Sequence, residues 1–258
     1  MKLAAIYNIW DGEDLLEGSI SQIRPFVDTV IVVWSTAANW VQDDGKQHLN
    51  PTLAPLLNWL YKQKTIDKLI QYEPPGARTY RQASQAETHK RQIGINYAKK
   101  TGHTHFLNLD ADEYYLPAEF DSAKRSVGAS AFCGSAVSIQ AYLTPELKFE
   151  ALEGYYVPFI HSLKTDTITG VAKYPFYVDP TRRINCTNIK LFPRVSAIMH
   201  HFTYNRKDIS QKYQNSTAKK SIVDAEKYCF DILDAKKTRN LWGRTLVDCE
   251  NIFNINGY

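Results

Sequence analysis

The chain has 258 residues, 44% of them apolar and 22% charged. That excludes a disordered, collagen-like or coiled-coil protein and leaves room for a well-filled core in one or two domains. Its 31 Lys and Arg against 27 Asp and Glu give a net charge of +4. Spread along the chain, this is too weak for a nucleic-acid footprint but allows a local phosphate pocket. Four cysteines form no Cys-x-x-Cys pair, and Met1–Asp14 lacks the long apolar run of a secretion signal. The expectation is therefore free thiols in a reducing compartment. The matches to the glycosylation sequon at Asn185 and Asn215 are then read as chance. No run of 18 apolar residues predicts a membrane span.

The elements alternate. Leu3–Tyr7 predicts a buried strand. Asp11 is placed to cap a helix carrying Leu15, Leu16, Ile20 and Ile23 at helical spacing, ended by Pro25. Thr29–Trp34 is β-branched and reads as a second buried strand. Residues 36–51 read as a polar loop. Leu53, Leu56, Leu57 and Leu60 predict a second helix, and Lys68–Tyr72 a third strand. Ser84-Gln-Ala-Glu87 matches a capping box for a helix running to about Lys100, with Gly102 beyond its end. His105–Leu109 predicts a fourth strand, which ends directly in Asp110-Ala-Asp112-Glu113.

So residues 1–113 read β-α-β-α-β-α-β. That order predicts a parallel, doubly wound α/β sheet with its ligand beyond the carboxyl ends of the strands, where Asp110 and Asp112 fall. Residues 130–143 and 171–195 read as strand-rich. Ile222, Ala225, Cys229 and Ile232 share one helical face and predict a C-terminal helix.

A turn after the fourth strand lets Asp110 and Asp112 face one bound group. Carboxylates suit hard cations such as Mg²⁺ or Mn²⁺, which leave positions open for a diphosphate and act on it as Lewis acids. A solvated acidic turn is the plain alternative. Arg91 has one too, a surface ion pair with Glu87 four residues back. His200 and His201 point to opposite faces of a strand, so at most one is a ligand. Trp34 is a core residue or a stacking platform. Arg78-Thr-Tyr-Arg81 is a basic lid or an ordinary solvated loop.

The segment from Lys90 and Arg91 through Ala98, Gly102 and the apolar strand to Asp110-Ala-Asp112-Glu113 resembles the GT-A glycosyltransferases, near family 2. The opening through Tyr7, Asn8 and Asp11-Gly-Glu-Asp resembles their nucleotide-binding start. Lys190-Leu-Phe-Pro-Arg194 and Met199-His-His-Phe-Thr-Tyr-Asn-Arg206, followed by Lys212, resemble a subset of them. The likeness covers roughly residues 1–215. It implies a GT-A domain with a nucleotide-sugar half (1–113), an acceptor-side half (114–215) and a helical extension (216–258).

The resemblance further implies a metal-dependent enzyme, using Mn²⁺ or Mg²⁺, that moves a sugar from a nucleoside diphosphate donor to a glycan or glycolipid. UDP is expected on family frequency, and an inverting transfer is preferred. Tyr7, Asn8 and Trp34 then lie near base and ribose, and Arg91 faces the donor. Asp110 meets ribose, sugar or metal, Asp112 holds the metal, and His200 or His201 completes its shell. Lys190, Arg194, Arg206 and Lys212 balance phosphate charge. Glu150, Glu153, Asp166 and Asp179 are candidate bases, with Asp166 and Asp179 preferred.

Two alternatives stand beside this reading. One is a non-catalytic carbohydrate-binding protein of the same shape. The other is a sugar-nucleotide nucleotidyltransferase, disfavoured because Asn8-Ile-Trp-Asp-Gly12 lacks its Gly-rich basic loop. The expected location is the cytoplasm, with peripheral membrane contact possible at the acceptor.

Overall fold

The computed structural model describes residues 1–42, 44–171, 173–215 and 225–257. Strand β1 (Leu3–Ile9) forms on the expected run and continues two residues further. Helix α1 (Glu13–Ile23) starts after Gly12, whose φ of 86° suits only glycine comfortably. Asp11 is therefore not its cap. A Cβ on Gly12 would lie 2.1 Å from Nη1 of Arg206, so this glycine also makes room for a distant guanidinium.

Strand β2 (Thr29–Trp34) matches expectation. The stretch expected as loop instead folds into an antiparallel pair, β3 (Ala37–Val41) and β4 (Gln47–Leu49). Trp40 is the reason: it is buried with Ala77 and Ala83 in a small apolar cluster that overrides the polar composition around it. Helix α2 (Leu53–Lys62) buries Leu53, Leu57 and Leu60, and β5 (Lys68–Gln71) follows.

Helix α3 (Tyr80–Lys100) begins a turn earlier than predicted. Its capping box is Thr79–Gln82: the Gln82 N–H donates to Thr79 Oγ1, and Gln82 Oε1 accepts from the Thr79 N–H. Ser84 and Glu87 are interior. The Arg78–Arg81 segment is thus the start of this helix. Strand β6 (His105–Leu109) leads into the acidic turn, then β7 (Glu113–Tyr114), α4 (Pro117–Gly128) and the long β8 (Gly134–Thr144).

Strands β9 (Leu147–Phe149) and β10 (Tyr156–Ser162) come next. The region 171–195 is not strand-rich. Among its described residues it is an irregular arm with a 3₁₀ turn at Pro180–Arg182 and one short strand, β11 (Ile189–Leu191). Pro175 and Pro180 interrupt any ladder there. The chain closes with β12 (Ile198–His201), α5 (Ile209–Asn215), α6 (Ala225–Thr238), β13 (Asn240–Leu241) and β14 (Arg244–Asp248).

One sheet runs β13-β14-β9-β8-β10-β6-β1-β2-β5. The order β6-β1-β2-β5 is parallel throughout, as expected. Strand β10 lies antiparallel between β6 and β8 and turns the sheet into a mixed one, while β12 runs parallel to β8. Two apolar layers cover the parallel part. One holds Tyr7, Leu16, Val32 and Leu57; the other holds Ile6, Val33 and Ile95 from the α3 side. The C-terminal segment is not a purely helical extension, because β14 pairs with β9 and joins the main sheet. Ile222, the boundary at residue 216 and most of the Asn215 sequon lie outside the described residues.

Cys133 and Cys186 are bonded as a disulfide, contrary to the expected four free thiols; Cys229 and Cys249 are free. The bridge joins the start of β8 to the far end of the irregular arm, a proximity that no sequence spacing discloses. No helix among the described residues is long and apolar enough to cross a membrane.

Candidate functional site

The carboxyl ends of β1 and β6 open into a polar cleft of about 280 Å³. Strand β1 contributes Asn8 and the residues just after it, Trp10 and Asp11. Helix α3 contributes Glu87 and Lys90, and the turn after β6 contributes Asp110 and Asp112. The arm supplies Asp179, and the β12–α5 region supplies His201, Thr203, Arg206 and Lys212. With Asn39 of β3, six separate stretches of chain therefore meet at one point, at the strand ends where α/β sheets place their ligands.

The acidic turn is built tightly. The Asp110 N–H donates to Glu113 Oε2 (3.2 Å), and the Glu113 N–H donates to the Asp110 carbonyl (3.3 Å). The Asp112 carbonyl accepts from the Phe202 N–H at 2.9 Å, tying the turn to the end of β12. Each acid has a basic partner. Arg91 Nη2 lies 3.2 Å from Asp110 and 2.7 Å from Glu87. Arg182 donates to both Asp110 and Glu113. Asp112 Oδ2 accepts from Arg206 Nη2 at 2.5 Å and Lys212 Nζ at 3.3 Å, with His201 Nε2 at 3.6 Å.

Burial by itself would raise the Asp110 carboxyl, but Arg182 and Arg91 outweigh it and bring it down to about 2. Burial is likewise outweighed at Asp112, where Lys212, Arg206 and His201 hold the carboxyl well below the usual range. Both acids are fixed anions. Lys90 shows the reverse. Its ammonium donates to the Ile9 carbonyl (2.6 Å) and Ser35 Oγ (3.2 Å), and burial brings it down to about 7 against the pull of Glu87 and Asp110.

Several expected residues fall elsewhere. Tyr7 is wholly buried, its hydroxyl bonded to Ser19 Oγ at 2.9 Å, and Trp34 belongs to the core; neither lines the cleft. Of the three nucleotide candidates on β1 and β2, only Asn8 does. Its amide nitrogen and oxygen, and the Trp10 indole N–H, have no hydrogen-bond partner among the described residues. Arg91 is neither a surface pair nor a lining residue: it is fully buried and acts through Asp110. Lys190 donates to Ser126, and Arg194 is an exposed side chain over the Tyr156 ring. Arg206 and Lys212, by contrast, line the cleft, as does Lys90.

His200 bonds the Tyr142 hydroxyl through Nδ1 (2.8 Å) and packs on Phe253, away from the cleft; His201 is the one that faces it. Asp166 is exposed and lines neither this cleft nor its neighbour, and Glu150 and Glu153 do not either.

Asp179 is different. It lines both the cleft and an adjoining cavity of about 110 Å³ walled by Tyr155, Tyr156, Val157, Ile139 and Met199. Its Oδ1 accepts from the Thr181 N–H (2.7 Å) and hydroxyl (2.9 Å), which aims the side chain, and Oδ2 has no partner among the described residues.

Trp10, Lys90 and Arg182 were not singled out by sequence reasoning. Only Lys90 carried a signal, as a lysine one residue from Arg91 on the sheet-facing side of α3.

The donor set does not fit Mn²⁺ or Mg²⁺ well. Among the described residues no three His, Cys, Asp or Glu side chains converge as a metal group. Asp110 and Asp112, the expected ligands, are each engaged by two cations of the chain.

No protein-family model matches the chain, and no curated protein does. Among solved structures, S. aureus TarS 1–349 is similar with a TM-score of 0.45 at 11% identity, over 93% of this chain and 73% of that one. A longer TarS chain is spanned over 43% of its length. The mannosyltransferase PcManGT from Pyrobaculum calidifontis, in complex with GDP-Man and Mn²⁺, has a TM-score of 0.40 at 14% identity, over 86% of this chain and 64% of that one. A CMP:2-keto-3-deoxy-manno-octonic acid synthetase complexed with CTP has a TM-score of 0.33 at 11% identity, over 63% and 71%.

Proposed function

We propose that this protein transfers a glycosyl unit from a nucleoside diphosphate sugar, with UDP as the preferred nucleotide, to an acceptor hydroxyl on a glycan or glycolipid. One observation carries the reading. A single cleft at the strand ends holds two cations suited to a diphosphate, Arg206 and Lys212, and also a carboxylate, Asp179, at the mouth of a second cavity.

The residues take the following roles. Asn8 and Trp10, whose polar atoms are unpaired among the described residues, meet the base and ribose. Asp110, held ionised by Arg91 and Arg182, accepts from sugar or ribose hydroxyls. The acceptor enters from the side of Tyr155 and Tyr156, whose rings suit stacking on a sugar. Its oxygen attacks the anomeric carbon while Asp179 Oδ2 takes the hydroxyl proton. The bond from that carbon to the diphosphate oxygen breaks, and the electron pair leaves with the diphosphate towards Arg206 and Lys212. A base on the face opposite the leaving group gives inversion at that carbon. The charge that neutralises the departing diphosphate comes from the chain.

The test compares wild type with Asp179→Asn on a panel of nucleoside diphosphate sugars, with water or glycans as acceptor. Expected is turnover of one donor by the wild type, and a fall of about 10² to 10⁴ in the variant with donor affinity preserved. Undiminished turnover in the variant removes Asp179 from the role. A wild type that binds donors and glycans but turns over none favours the non-catalytic carbohydrate-binding alternative.

A further inference from the structure

Resting on that reading, we propose that Arg206 and Lys212 supply the charge for the diphosphate in place of a divalent cation, so that the nucleotide binds here without metal. In Asp112, the expected metal ligand, Oδ2 already touches Arg206 Nη2 at 2.5 Å and Lys212 Nζ at 3.3 Å. An added Mn²⁺ at that oxygen gains one anion and meets the buried Arg206 guanidinium at contact distance, with the Lys212 ammonium close by.

Arg206 is 7% exposed, and its Nε and Nη1 have no hydrogen-bond partner among the described residues. Nη1 lies 4.0 Å from Asp14, an ion pair without a hydrogen bond. A guanidinium this buried, with two of its nitrogens unpaired, carries a desolvation cost that a nearby anion would offset. Guanidinium N–H groups pair well with phosphate oxygens. The Lys212 side chain is a quarter exposed and reaches in from α5. Turning its ammonium from Asp112 to a phosphate oxygen needs only rotation of a flexible stem. Asp112 acts in this arrangement as the anchor that holds both cations in the cleft before the nucleotide arrives.

The experiment is calorimetric titration of the full chain with UDP, GDP, ADP and inorganic pyrophosphate, each in EDTA and in Mn²⁺. It is paired with electron paramagnetic resonance of Mn²⁺ added alone. Expected is one nucleoside diphosphate that binds in EDTA with a Kd within about threefold of its Mn²⁺ value, and no loss of the free Mn²⁺ signal. Lys212→Ala, folded by circular dichroism, weakens binding in EDTA by about tenfold or more, and Lys212→Arg restores most of it.

Three results overturn the proposal. Binding seen only with Mn²⁺ sinks the metal-free inference and leaves the transferase reading standing. Unchanged affinity in Lys212→Ala sinks the role of Lys212. No binding of any diphosphate in either medium sinks both the inference and the donor site.

Discussion

Arg182 governs the acidic turn, although it arrives from 69 residues beyond Glu113. Its guanidinium is almost wholly buried and pairs with two carboxylates, one of them equally buried. Removing one partner of such a cluster strands a charge in a poorly solvated place. Arg182→Gln is expected to destabilise the protein by about 3–5 kcal/mol at neutral pH, read by urea unfolding. The difference from wild type should shrink as the pH is lowered, since burial already raises the Glu113 carboxyl and protonation removes the stranded charge. A loss that is the same at every pH would mean that packing, not charge, is what Arg182 supplies. The same scale explains Tyr7, Asn8 and Trp34. All three sit at the ends of buried strands, but successive side chains point to opposite faces. Tyr7 and Trp34 therefore enter the core while Asn8 reaches the cleft, a distinction that residue type alone does not make.

Helices and strands were the most legible elements where apolar runs were long. The strands at Thr29–Trp34 and His105–Leu109 fall on their expected residues. The start of α3 was misread because two sequences a turn apart, Thr79–Gln82 and Ser84–Glu87, both satisfy the capping pattern. Ala83 and Ala86 are buried on the face that packs inward, so the helix extends back to the earlier box. Within α3, Gly94 sets how close the helix comes to the sheet: a Cβ there would lie 2.3 Å from Ile6 Cγ2. In a free helix Ala is better than Gly by about 1 kcal/mol. Here Ile6 is in a central strand and cannot yield, so the overpacking cost of about 1–3 kcal/mol wins. Gly94→Ala is expected to lower stability by up to about 2 kcal/mol, read as a lower urea midpoint at unchanged m-value. A raised midpoint would show that α3 shifts freely on β1. Since α3 carries Lys90 and Arg91, donor affinity should fall with it.

At the scale of the molecule, two histidines buried by the fold tie stability to pH. His161, bonded to the Tyr174 hydroxyl at 3.0 Å, and His200, bonded to Tyr142, are each brought down to about 4 by burial. In the unfolded chain they take a proton below about pH 6.5. Unfolding therefore binds protons between about pH 6.5 and 4, and acid favours the unfolded state across that window. Each contributes up to about 1.4 kcal/mol of lost stability per pH unit there. A stability curve against pH by chemical unfolding should fall through this range, and His200→Gln should flatten it. An identical slope in the variant would place the titration elsewhere.

The sequence by itself determined the order of the four parallel strands and the three helices between them in residues 1–113, though not the β3–β4 pair, and the place of Asp110 and Asp112 at the carboxyl edge of that sheet. These follow from local periodicity and from the right-handed crossovers that parallel strands require. It also carried the cations Arg206 and Lys212 as candidates. Tertiary structure alone decided which charges meet. Arg182 on Asp110 and Glu113, Arg206 and Lys212 on Asp112, Asp179 at the junction of two cavities, and Cys133 on Cys186 join residues far apart in the chain. Local propensity acts over a few residues, whereas an ion pair or a disulfide depends on where separate segments are brought by packing of the whole core.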